Sequence, residues 1–131
     1  MKENYTLDML WKLDFHIQKP SLIFLYGDLW AGKTTLSKSI IHGMLWDEVS
    51  VTSPTYVYYN VYSDIYHFDL YRLRDYDEFV SIWGEEILDN NQGIIIIEWP
   101  EILEPYYNPD IKIFLEKTDD ETIRSLDIQY N

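Results

Sequence analysis

The stretch SLIFLYGDLWAGKTTL (residues 21–36) runs from an apolar segment through a glycine-bounded loop into a patterned one. Its first six residues are continuously apolar after Ser21, as expected of a strand buried on both faces. From Lys33 to about Leu45, Leu36, Ile40 and Met44 recur at i, i+4 and i+8, which predicts an amphipathic helix. Between strand and helix, Gly27, Gly32, Lys33 and Thr34 satisfy the spacing G-x-x-x-x-G-K-[ST]. The physical demands of a phosphate-binding loop are met in order. Gly27 lets the chain turn sharply as it leaves the strand, and Gly32 permits close backbone approach to phosphate. Amide N–H groups and the helix N-terminus supply donors and the positive end of a dipole. Lys33 then reaches the β- and γ-phosphates, and the Thr34 hydroxyl ligates magnesium. Trp30 sits at a variable position of the pattern, either as a surface aromatic covering the loop or as a contact to nucleotide or partner.

A phosphate loop alone specifies nothing beyond a nucleotide phosphate. A carboxylate on a neighbouring strand is needed to hold magnesium or its water shell. Two candidates stand out. Glu98 ends the apolar run of GIIIIEWP (93–100), where an unpaired charge is costly to bury. Asp69, in YHFDLYR (66–72), shares a strand face with His67. Either acid is a metal-site residue or one half of a structural ion pair. Trp99 stacks on a base or packs in the core, and periodicity does not decide between them. TSPTY (52–56) offers three hydroxyls and a proline, as a γ-phosphate-sensing switch or a simple turn. His16 and His42 have no spaced partner and read as structural, and Arg72 serves a phosphate or an acid.

Outward from these motifs, residues 7–18 predict a helix with Leu7, Leu10, Trp11 and Ile17 on one face, ended by Lys19-Pro20. TYVYYNVYSDIYHFDLYRL (55–73) predicts two strands joined by a tight turn near Ser63-Asp64. Asp75 with Glu78 three residues on marks a helix start, and Gly84 an interruption. IKIFLEK (111–117) and TIRSLDIQY (122–130) read as a hairpin across Thr118-Asp119-Asp120. In its second strand Leu126, Ile128 and Tyr130 alternate with Ser125, Asp127 and Gln129, which leaves one face solvated. Without repeats, low-complexity tracts or linkers, residues 1–131 read as a single α/β domain with a central sheet and an antiparallel edge.

Composition narrows the function. Hydrophobic residues make up 47% and aromatics 17%, so a packed core is expected rather than disorder. No apolar run approaches the roughly 20 residues that span a bilayer, and the N-terminus lacks a signal-peptide core. With no cysteine there is neither disulfide nor thiolate chemistry, and the expected compartment is the cytoplasm. Ten basic against twenty-three acidic residues give a net charge of −13. The few cations are scattered, Arg72 and Arg74 forming the one close pair, so direct nucleic-acid binding is disfavoured and a basic protein partner fits better.

Taken together, GDLWAGKTTL, SPTY, YHFDLYRL, WGEEIL and IIEWPE in this order resemble the bacterial TsaE (YjeE) family, the small ATPase of the tRNA threonylcarbamoyladenosine pathway. The resemblance covers most of residues 21–104. It implies a P-loop NTPase-like three-layer α/β fold with a central, mostly parallel sheet and antiparallel edge strands, binding ATP and Mg2+. It further implies weak hydrolysis alone and stimulation by a TsaB–TsaD complex, whose TsaD transfers the threonylcarbamoyl group. Neither DNA nor a membrane is an implied partner, and tRNA is met only through the complex. Carried over by position, Gly27, Trp30, Ala31, Gly32, Lys33, Thr34, Thr35 and Trp99 line the nucleotide. Thr34 and Glu98 hold the metal, Lys33, Asp69 and Glu98 are catalytic, and Ser53 and Thr55 form the switch-like loop. The main departure is Trp30, where the family usually has glycine. Two rivals remain open on the residues alone. A small-molecule kinase would need an arginine-bearing lid, and no segment reads as one. A scaffold that binds nucleotide without hydrolysing it is the other.

Overall fold

The computed structural model describes residues 2–10, 17–28, 31–45 and 58–131. In chain order these form β1 (Lys2–Thr6), α1 (Leu7–Leu10), β2 (Ser21–Tyr26), α2 (Lys33–Leu45), β3 (Tyr59–Tyr62), β4 (Ile65–Asp69), α3 (Tyr76–Ser81), α4 (Gly84–Asp89), β5 (Ile94–Glu98), a 3-10 turn (Pro100–Leu103), β6 (Ile111–Lys117) and β7 (Ile123–Tyr130). The strands make one seven-stranded sheet in the order β1-β7-β6-β2-β5-β4-β3. Its centre, β6-β2-β5-β4, is parallel; on one side β7 pairs antiparallel with both β6 and β1, and on the other β3 pairs antiparallel with β4. The α/β reading with a mostly parallel centre and antiparallel edges therefore holds.

The two innermost strands, β2 after Ser21 and β5 up to Glu98, are apolar because both faces are covered. All five residues of β5 are buried. Since side chains alternate along a strand, its isoleucines divide between two layers. Ile94 and Ile96 join Ile23, Leu25, Leu36 and Ile40 beneath α2. Ile95 and Ile97 join Phe24, Phe68 and Phe79 beneath α3 and α4. The Asp75 side chain accepts from the Glu78 N–H at 3.0 Å, capping α3 as expected. Gly84 separates α3 from α4 for a packing reason, since a Cβ there would lie 2.4 Å from the Phe79 ring.

One expectation is corrected. The N-terminal helix is described only over Leu7–Leu10, and Ile17 and Gln18 are not helical. Lys2–Thr6 is instead a strand paired with β7. That edge strand is mostly exposed, so no apolar alternation announces it; backbone pairing with β7 holds it. On β7, Leu126 is buried, whereas Tyr130 projects outward at 68% exposed. No helix among the described residues is long and apolar enough to cross a membrane.

Candidate functional site

Because β2, β4 and β5 run parallel, their carboxyl ends open on the same edge of the sheet. Open α/β sheets place ligands outside that edge. The loop after β2 and the last residues of β4 and β5 meet there.

The loop is held mostly by backbone groups. The Ala31 N–H donates to the Asp28 carbonyl at 3.1 Å, and the Leu36 N–H to the Gly32 carbonyl at 2.9 Å. Gly32 has φ 108°, which a side-chain-bearing residue rarely adopts. A Cβ on Gly27 would lie 2.6 Å from the Leu115 carbonyl oxygen, so only glycine lets β2 leave the sheet beside β6. Lys33 is buried and turns its ammonium inward, donating to the carbonyl oxygens of Gly27 and, at 3.2 Å, Asp28. The same ammonium lies 3.7 Å from the centre of the Trp99 ring. Burial lowers its pKa from the ordinary value, while Glu98, Asp69, Glu101 and Asp28 act in the opposite direction.

Facing the loop, Glu98 is 2% exposed. Its Oε1 lies 3.4 Å from the Thr34 hydroxyl, and its Oε2 lies 3.4 Å from the Ser37 hydroxyl and contacts His67 Nε2. Asp69, level with Glu98 on the adjacent strand, is buried and accepts the Tyr71 N–H at 3.0 Å. Trp99 follows Glu98 with φ 58°, and its ring packs on Tyr71 at 4.9 Å. The ring packs on the aromatic layer and turns a face to the Lys33 ammonium.

Gly27, Ala31 and Gly32 therefore lie between β2 and α2, with Lys33, Thr34 and Thr35 in the first turn of α2. Glu98, Asp69 and Trp99 converge on it from two other strands. Trp30, Ser53 and Thr55 lie outside the described residues. Three participants were not singled out from sequence. Ser37 follows Thr34 by three residues, a spacing that puts both on one helix face. His67 is two residues from Asp69 on the same strand face. Arg124, buried on β7, donates from Nε to the Ala31 carbonyl at 2.9 Å. It shares the inward row of Leu126 and Ile128, where a charge was the available signal.

The oxygens of Thr34 and Glu98 are hard donors, and their 3.4 Å separation is long for a hydrogen bond. Among the described residues no group of three or more His, Cys, Asp or Glu forms a metal cage. Thr34 and Glu98 are the residues here that could hold a hard divalent cation. Beside the loop, on the β6 side, a cavity of about 600 Å3 is lined by Gly27, Asp28, Trp99, Glu101, Glu104 and residues 114–117. Burial, then Glu104 nearby, raises the Glu101 carboxyl above its ordinary range.

The TsaE family model, described as threonylcarbamoyl adenosine biosynthesis protein TsaE, matches residues 1–126. The tRNA threonylcarbamoyladenosine biosynthesis protein TsaE of Haemophilus influenzae is 42% identical over 93 residues, covering 68% of this chain and 58% of that protein. Its namesake in Rickettsia conorii is 38% identical over 107 residues, covering 77% and 60%. The match thus spans less than two thirds of the length of these relatives. A crystal structure of Bacillus subtilis YdiB superposes with a TM-score of 0.71 at 24% identity, covering 99% of this chain and 84% of that one, which speaks for the fold alone.

Proposed function

The chain belongs to the TsaE family, and from that premise we propose that it is the ATP-binding and ATP-hydrolysing subunit of tRNA threonylcarbamoyladenosine synthesis, acting with a TsaB–TsaD-type complex. The observation that carries the reading is the meeting of a buried lysine, enclosed by the carbonyls of its own glycine loop, with a buried carboxylate beside the Thr34 hydroxyl.

In this reading the Lys33 ammonium leaves the Gly27 and Asp28 carbonyls for the phosphate oxygens. Loop amides and the first turn of α2, with Thr34 and Thr35, supply the remaining donors. Thr34 and Glu98 hold the metal, and Asp69 orders its water shell. Bound magnesium supplies charge neutralisation on the β- and γ-phosphates. The cavity on the β6 side falls within the ordinary size range of ligand pockets and takes the nucleoside, with Trp99 as a wall. Its carboxylates suit ribose hydroxyls, and the cationic loop suits the phosphates.

Hydrolysis serves the complex rather than a second substrate of this chain. A net charge of −13 favours a basic protein surface over tRNA itself as the direct contact. Isothermal titration with magnesium-ATP, paired with ATPase assays with and without the cognate TsaB–TsaD complex, tests this. Wild type is expected to bind, Lys33→Ala to lose binding by roughly 100-fold or more, and the complex to stimulate hydrolysis. Unchanged affinity in Lys33→Ala removes the site; phosphate moved to a metabolite faster than to water replaces the ATPase with a kinase.

A further inference from the structure

We propose that His67 is the positioning residue of the Glu98 carboxylate, holding Oε2 through Nε2 so that Oε1 is presented to Thr34. The inference rests on the magnesium-nucleotide reading of the site and deepens it.

Glu98 sits at the end of an all-buried strand, where a carboxylate without fixed donors is unstable. Its two oxygens keep different company. Oε2 contacts His67 Nε2 and the Ser37 hydroxyl, both fully buried, whereas Oε1 meets Thr34, which is half-exposed in the first turn of α2. The side facing away from the loop is committed, and the side facing the loop is available.

Strand pairing sets this up. β4 and β5 are parallel with Asp69 level with Glu98 and His67 level with Ile96. One step back along β4 on the same face therefore puts an imidazole behind the carboxylate. The other ring nitrogen, Nδ1, is buried and has no hydrogen-bond partner among the described residues. Among the described residues, a proton on Nδ1 would be a buried donor with nothing to receive it. The ring therefore carries its proton on Nε2 and gives it to Glu98. A free glutamate rotates about three side-chain bonds; this one is pinned by its far oxygen. His67 acts on metal through Glu98 alone, and partners of that kind are worth about 10–100-fold in metal affinity.

Three variants test the tether. His67→Leu keeps bulk without a donor, His67→Gln keeps an N–H near the place of Nε2, and Ser37→Ala removes the weaker contact. Magnesium titrations of ATP binding are expected to shift their midpoint at least about 10-fold in His67→Leu and less than about 3-fold in His67→Gln and Ser37→Ala. ATP binding in EDTA should change little in any of them. Independently of nucleotide, 15N NMR of the metal-free protein is expected to show His67 as the Nε2–H tautomer, with its resonance displaced in Glu98→Gln. An Nδ1–H tautomer, or a wild-type magnesium midpoint in His67→Leu, overturns the proposal. If His67→Leu fails to fold, the tautomer and the His67→Gln midpoint decide, a shift in the latter as large as about 10-fold counting against it. Wild type that binds ATP equally with and without magnesium sinks the site reading instead, and the tautomer still decides the tether.

Discussion

The two halves of the site are held by different means. The phosphate half, Gly27 to Thr35, is fixed through main-chain carbonyls: Asp28 receives Ala31, Gly32 receives Leu36, and Ala31 receives Arg124. The carboxylate half, the Glu98 carboxyl group, is met among the described residues by the side chains of Thr34, Ser37 and His67. Main-chain fixation leaves little freedom to repack, since a backbone atom cannot choose another rotamer. Side-chain fixation can be altered one group at a time. The first half should therefore fail in stability and binding together, and the second in metal response alone.

Gly27→Ala probes the first half most severely. The added methyl meets the Leu115 carbonyl at 2.6 Å, so a loss of about 2–3 kcal/mol in chemical denaturation is expected, with a loss of nucleotide affinity by calorimetry. Arg124→Met comes next, keeping the stem but leaving the Ala31 carbonyl without its Nε donor. Denaturation should show about 1–3 kcal/mol, and titration calorimetry weaker ATP binding; unaltered ATP affinity would break the claim that β7 buttresses the loop. Glu98→Gln should separate the two quantities. Stability is expected to stay within about 1 kcal/mol of wild type, or to rise, because a buried charge is removed, while the magnesium titration flattens.

The smallest effect belongs to Glu101→Gln. Burial raises the Glu101 carboxyl above its unfolded value of 4.5, with Glu104 adding to the shift. A raised folded value means stability that is present in full below the unfolded value and lost as pH rises through the folded one. The variant should thus melt slightly higher than wild type at pH 7, by about 1–2 °C, and the gap should close as the pH falls towards 4.5. A gap that persists in acid would assign the effect to packing.

The same contrast explains what was legible in the sequence. The loop is contiguous, so its backbone demands appear as glycines and a lysine at fixed spacing. The isoleucine run before Glu98 was legible because burial on both faces removes all polarity from a strand. The contacts that orient Glu98 cross 31, 61 and 64 residues, and no local pattern encodes such pairings. His67 could be placed on the face of Asp69 by alternation, yet its target lay on another strand. Arg124 was an anomaly in an inward row, readable only once β7 was known to stand under the loop. Lys2–Thr6 escaped because an edge strand can be held by its neighbour's backbone with little apolar surface of its own.

The alternating faces of β5 make it a ruler as well as a filler. Removing or adding a single residue between Gly93 and Ile97 would rotate Glu98 half a turn, out of reach of Thr34 and into the layer of Phe24 and Phe68. Valine can stand in for isoleucine there with modest loss, but a frame shift of one position would silence the acid while leaving hydrophobicity and charge untouched. Along this strand, count outranks identity.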